Sequence, residues 1–153
     1  MIFVSIKKVV VMSLNNIFTI AGSGMNAQSV RLNTTASNLA NADAAASSIE
    51  DTYRGRHPIF AALNNDILQF DAKNEDANVG VKVLGIVESD APLQPRYEPN
   101  NPLADQEGYV YYPNVNVVEE MTNMISASRS FQMNVEVMNS AKQMMQRVLT
   151  LGQ

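Results

Sequence analysis

Cysteine is absent from the 153 residues, and so is tryptophan. Without thiols the chain has no disulfide, no thiolate metal ligand and no thiol nucleophile. A chain free of cysteine also suits passage through an oxidising compartment. Histidine occurs once, as His57 in Arg54-Gly55-Arg56-His57-Pro58, with no second imidazole to share a metal ion. No nucleophile-elbow pattern accompanies it. Gly22-Ser23-Gly24 lacks the spacing and the lysine of a phosphate loop. The paired acids Glu119-Glu120 and Glu75-Asp76 read as solvation and helix-end charge. The expectation is therefore no catalytic, cofactor-binding or metal-ligating residue, and a loop role for His57. The two neighbouring arginines read as contacts to acidic groups of a neighbour or as solvated side chains.

A basic cluster is lacking too, which argues against nucleic acid. Net charge is −4. From Asp43 to Glu107 twelve Asp/Glu stand against five Lys/Arg, a balance of −7, while Arg31 is the one charge between Ser13 and Asn41. The acidity sits in the middle and the ends are nearly neutral, so many copies of the ends can crowd together without repulsion. No run approaches the roughly 20 apolar residues of a membrane span. The opening MIFVSIKKVVV places its lysine pair between short apolar stretches, unlike a secretory signal. Residues 1–11 are expected to be a leader outside the native protein, with translation starting at Met12. All six prolines fall between Pro58 and Pro113, so both ends are free to be helical.

What the C-terminal end does have is a seam. Val117, Met121, Met124, Ser128, Phe131, Val135, Met138, Lys142, Met145 and Leu149 alternate steps of four and three, and eight of the ten are apolar. This is the a/d spacing of a coiled-coil helix, whose narrow stripe needs another helix to cover it. A weaker stripe near the other end runs Phe18, Ala21, Met25, Gln28, Leu32, Thr35, Leu39, interrupted by Gln28 and Thr35. Gly22 and Gly24 there read equally as a close approach of a neighbour or a broken turn. Asn116, with Glu119 three residues on, marks a helix start, and Gly152 a stop.

Between the ends, Asn41 to Ser48 reads as a loop or frayed helix end and Thr52 to Phe60 as extended. Ile67-Leu68-Gln69-Phe70 reads as a short strand and Asp71 to Asn78 as a loop. Val79 to Val87 is the clearest strand, rich in β-branched residues. Ala91 to Pro102 holds four prolines and is expected to be a poorly hydrogen-bonded connector. Gly108 to Tyr112 reads as a second strand that could pair with the first.

The expected fold is mainly α with a β-containing insert: N- and C-terminal coiled-coil helices flanking an irregular β-rich middle. Its segments are the leader 1–11, an N-terminal helix 12–42, an outward β/loop region 43–115 and a C-terminal helix 116–153. The assembly seam comprises Phe18, Met25, Leu32, Leu39, Val117, Met121, Met124, Phe131, Val135, Met138, Met145 and Leu149. Its methionines suit a surface that meets several non-identical partners, against the plainer reading of core filling within one helix pair. Val, Ser, Thr and Asn are frequent in these ends and lower helix propensity, so the ends are expected to be mobile in the monomer and helical in an assembly. Three functions follow in order of preference: a structural subunit, a free-standing helical adaptor or binding module, and an enzyme.

Specific stretches then resemble bacterial flagellar rod proteins. At the N-terminal end these are Asn15, Ile17-Phe18, Ile20-Ala21-Gly22-Ser23, Ala27-Gln28-Ser29, Arg31-Leu32-Asn33 and Ala36-Ser37-Asn38-Leu39-Ala40-Asn41-Ala42-Asp43. Further on they are Tyr97-Glu98-Pro99-Asn100-Asn101-Pro102-Leu103-Ala104-Asp105, Gly108-Tyr109-Val110, Pro113-Asn114-Val115, Ser126-Ala127-Ser128-Arg129-Ser130-Phe131-Gln132 and Leu149-Thr150-Leu151-Gly152-Gln153. The resemblance covers about residues 12–153. It departs at Ala44-Ala45-Ala46-Ser47-Ser48, where the family usually carries glycine and proline. The resemblance implies a subunit of the proximal rod of the flagellar basal body, in the periplasmic space, exported from the cytoplasm by the flagellar type III apparatus without a cleaved signal. It implies helical assembly with further copies and with other rod proteins, contact with the adaptor between rod and membrane ring, and no cofactor. Both terminal helices would form an inner coiled-coil layer, with the middle facing outward.

Overall fold

The structure, a computed structural model, describes residues 2–63 and 80–150, with side chains in the first helix described from residue 16 onward. The elements in order are helix α1 (Ile2–Ala40), strands β1 (Arg56–Leu63), β2 (Gly80–Glu88), β3 (Gln94–Tyr97) and β4 (Tyr109–Tyr112), and helix α2 (Val117–Thr150). Two terminal helices thus flank a middle of two small sheets, one formed by β1 and β2 and the other by β3 and β4. The strand expected at Ile67 to Phe70, the loop at Asp71 to Asn78, Val79 and the stop at Gly152 lie outside the described residues.

Three local features differ from expectation. Helix α1 starts at Ile2 rather than at residue 12; no proline or glycine interrupts it before Gly22. β4 pairs antiparallel with β3, not with β2, in the register Gln94↔Tyr112 to Tyr97↔Tyr109. The proline-rich connector therefore contains a laddered strand. Pro95 is tolerated because a two-stranded sheet leaves each strand an unpaired edge. Ala46 adds a bridge to Tyr111, exchanging both backbone hydrogen bonds at 3.0 Å. That bridge gives the alanine-rich segment a defined path.

The chain forms two compact units. The first comprises residues 1–29, 60–83 and 128–153, the second residues 30–59 and 84–127. In the first unit Ala21, Ala27 and Ala141 are buried. A methyl group on Gly24 would lie 3.0–3.3 Å from the Asn134 amide, whereas Gly22 faces open space. The close-approach reading therefore holds at Gly24 alone, and the helix runs through both glycines unbroken. Ser23 donates to the Ile20 carbonyl at 2.8 Å and accepts from the Val81 amide at 3.1 Å, and a methyl on Gly80 would strike its hydroxyl.

In the second unit Val110, Pro113 and Asn38 are the largest fully buried side chains. α2 begins where the Asn116 side chain accepts from the amides of Val118 (3.1 Å) and Glu119 (3.4 Å), satisfying N–H groups that a helix start leaves unpaired. The loop between β3 and β4 is closed by Asp105, which accepts from the amides of Glu107 and Tyr109, and by Gly108 at φ 85°. The Tyr109 amide holds the Asp105 carboxyl below its ordinary range, with burial opposing and the Glu107 amide and Tyr111 hydroxyl assisting. Burial, followed by the Asp105 charge, raises the Tyr111 hydroxyl.

Candidate assembly interface

Heptad spacing places two kinds of row on each helix. On α1, Ala21, Gly24, Gln28, Arg31, Thr35 and Asn38 step by threes and fours, and none of them is exposed. On α2, Glu120, Ala127, Asn134 and Ala141 recur every seventh residue and are likewise covered. Within the second unit Arg31 donates to Asn123 at 2.8 Å and Asn38 to Glu120 at 3.1 Å. Within the first, Gly24 lies against Asn134. The rows that meet inside the chain are thus small and polar. Gln28 and Thr35, which interrupt the apolar stripe in sequence, belong to this covered row. The Gln28 carbonyl oxygen is buried with no hydrogen-bond partner among the described residues.

Asn38 is the most heavily bonded side chain of this row and is 0% exposed. Its amide nitrogen donates to the Arg56 carbonyl (2.8 Å) and to the Glu120 carboxylate (3.1 Å). Its oxygen accepts from the Tyr53 hydroxyl (2.8 Å) and the Arg56 amide (2.9 Å). Such bonds contribute about 0.5–1.5 kcal/mol each, and losing a buried partner costs about 1–3. Asn114 does similar work nearby: it accepts from the Gly55 amide at 2.8 Å and donates to the carbonyls of Ser89 (3.2 Å) and Ala91 (2.8 Å). Glu120, read as a solvated acid, is 5% exposed. The sequence signal for Asn38 lay in the Asn-Leu-Ala-Asn run. Nothing in the local pattern around Glu120 separates it from exposed Glu119.

The large apolar side chains lie elsewhere. Phe18, Met25, Leu32 and Leu39 on α1 are half-buried, as are Met124, Phe131, Val135, Met138 and Met145 on α2; Val117, Met121 and Leu149 are exposed. Off that seam Val118 (73% exposed), Ile125, Met133, Val137, Met144 and Val148 are also open, at positions the a/d count passes over. In the first unit Ile17, Met133, Val137, Ala141 and Met144 line a shallow groove of about 370 Å³. In the sheet of β1 and β2, Ile59, Leu84, Ile86 and Val87 are exposed.

Polar chemistry is modest. His57 is exposed on β1. Arg56 pairs with Glu88 at 3.0 Å on the neighbouring strand, and Arg54 donates to the Ser89 carbonyl at 3.3 Å, so both arginines have partners within the chain. No group of acids and histidines that could hold a metal occurs among the described residues, and no described helix is long and apolar enough to cross a membrane.

Known proteins resemble this chain in sequence. A family model described as flagella basal body rod protein matches residues 15–45, and one described as flagellar basal body rod FlgEFG protein C-terminal matches residues 106–151. The chain is 53% identical over 142 residues to the flagellar basal-body rod protein FlgC of Salmonella typhimurium, covering 93% of this chain and all of the relative. The FlgC proteins of Escherichia coli O157:H7 and Yersinia enterocolitica match over the same extent at 53% and 49%. The two matched regions contain the polar helix rows and the heptad seam, and at this identity over this coverage the chain belongs to the FlgC family of flagellar basal-body rod proteins.

Proposed function

We propose that this chain is a structural subunit of the basal-body rod that polymerises helically, with further copies of itself and with other rod proteins, to make a torque-transmitting shaft. It is not an enzyme. The observation that carries the reading is the division of the helix surfaces: small and polar rows meet within the chain, while Met121, Ile125, Met133, Val137 and Met144 stay open. Apolar area left in water is unfavourable by about 25 cal/mol per Å². Open apolar side chains on either side of the covered row suit protein–protein contacts.

In this reading residues 12–42 and 116–153 form an inner coiled-coil layer, and residues 43–115 face outward. The seam of Phe18, Met25, Leu32, Leu39, Val117, Met121, Met124, Phe131, Val135, Met138, Met145 and Leu149 is covered by neighbouring subunits. Methionine suits contacts with non-identical neighbours, because its flexible thioether repacks against different shapes. The rod-to-membrane-ring adaptor and the flagellar type III export apparatus are the further partners, and the rod lies in the periplasmic space.

Sedimentation combined with circular dichroism tests this. The isolated chain should sediment as a monomer with little helix and should gain helix on mixing with other rod proteins. A stably helical monomer indifferent to those proteins would favour a free-standing helical adaptor instead.

A further inference from the structure

We propose that Asn38 is a positioning residue for assembly: it fixes the root of the β1–β2 sheet against α1 and α2, and the carboxylate of Glu120 restricts position 38 to an amide. A carboxamide can donate two hydrogen bonds and accept two, and all four are used here, to Arg56 twice, Tyr53 and Glu120. The two bonds to Arg56 are reciprocal. The side chain accepts from the Arg56 N–H and donates to the Arg56 carbonyl, as a residue of a neighbouring antiparallel strand would. A helix side chain thereby continues the ladder at the first residue of β1. The fourth bond ties the same amide to the first turn of α2.

Orientation of the amide is forced, because the Arg56 N–H can only donate and its carbonyl can only accept. Aspartate at 38 keeps both acceptor bonds but loses both donor bonds. It also places a second carboxylate about 3 Å from the Glu120 oxygen, where like charges repel strongly when buried. Serine and threonine carry one donor, and alanine carries none. The root positioned in this way includes Ile59, Leu84, Ile86 and Val87, the exposed apolar side chains of this unit's part of the sheet. The consequence for assembly rests on the rod reading above.

The test uses a motile host lacking its own copy of this rod gene, complemented with the full chain. Asn38→Asp should abolish swimming in soft agar. Glu120→Gln should swim as the parent does, since glutamine still offers an oxygen to Asn38. The double variant N38D/E120Q should regain a clear part of the ring diameter that N38D loses, because the new amide at position 120 can donate to the new carboxylate at position 38 and the repulsion is gone, while the Arg56 carbonyl still lacks its donor. Tyr53→Phe, which removes one bond, should shrink the ring only slightly. If N38D is degraded, immunoblotting should show E120Q restoring its level together with swimming. Normal swimming by N38D, or a double variant no better than N38D, overturns the proposal. Failure of the parent chain to restore swimming overturns the rod reading instead, so the two are separable.

Discussion

The two small sheets are built from the same middle segment, yet they finish differently. β3 and β4 are four residues each and are closed within the chain. Val110 is fully buried, Tyr97 and Tyr109 meet edge to face at 5.4 Å, Arg96 lies 4.3 Å over the Tyr112 ring, and Asp105 and Gly108 lock the loop. β1 and β2 are twice as long. Their described side chains make one ion pair, Arg56 with Glu88, and leave Leu84 63% exposed along with Ile59, Ile86 and Val87. Size is therefore not what completes a sheet here. One is satisfied by its own loop and by the Ala46 bridge; the other leaves apolar surface exposed. Helix α2 repeats the contrast between two of its own faces.

Substitutions on the open faces should cost assembly, and substitutions in the closed parts should cost stability. The largest effect is expected at Phe131→Asp or Met138→Asp: a charge on the seam, buried on assembly without a partner, should abolish swimming. Normal swimming by either variant would count heavily against the proposed packing. Next, Val110→Ala should lower the stability of the second unit by about 2 kcal/mol through the cavity it leaves. Leu84→Ser should change it by less than about 0.5 kcal/mol while reducing swimming. Equal losses in a thermal melt would erase the distinction between the two sheets.

A smaller effect concerns acid. The Asp105 carboxyl is held below its ordinary value near 3.8 by the Tyr109 amide, so its contribution to folding is fully present above that value. It is lost as pH falls through the lowered value of the folded state. Asp105→Asn keeps an oxygen for both amides but loses the charge, so it should slightly loosen the β3–β4 loop at neutral pH, and its difference from the parent should close in acid. Amide exchange at Tyr109, followed from neutral pH downward, reads this directly. The smallest effect is expected at His57→Ala: the imidazole is exposed, and swimming and stability should match the parent.

Much of the architecture was legible. The heptad rhythm from Val117 onward, the Asn116 start and the distribution of prolines marked the two helices, because periodicity and caps are local signals. The pairing of β4 was not, since Gly108 to Tyr112 carries no mark of which strand it will join; the partner lay inside a proline-rich stretch whose Pro95 spoke against a ladder. The polar rows were hidden for a related reason. Hydrophobic pattern picks out apolar faces, and it treats Gln28, Thr35 and Glu120 as blemishes or solvent-facing residues. Their burial depends on partners far away in the chain, such as Asn38 for Glu120. The open positions Val118, Ile125 and Met133 lie off the seam, where a strict a/d count does not look.

Temperature gives the polar rows a consequence of their own. The attraction between apolar surfaces weakens on cooling, whereas hydrogen bonds such as Arg31 to Asn123 and Asn38 to Glu120 do not depend on that driving force. In a column built as proposed, chilling should therefore weaken the apolar contacts between neighbouring molecules more than the hydrogen bonds inside each one.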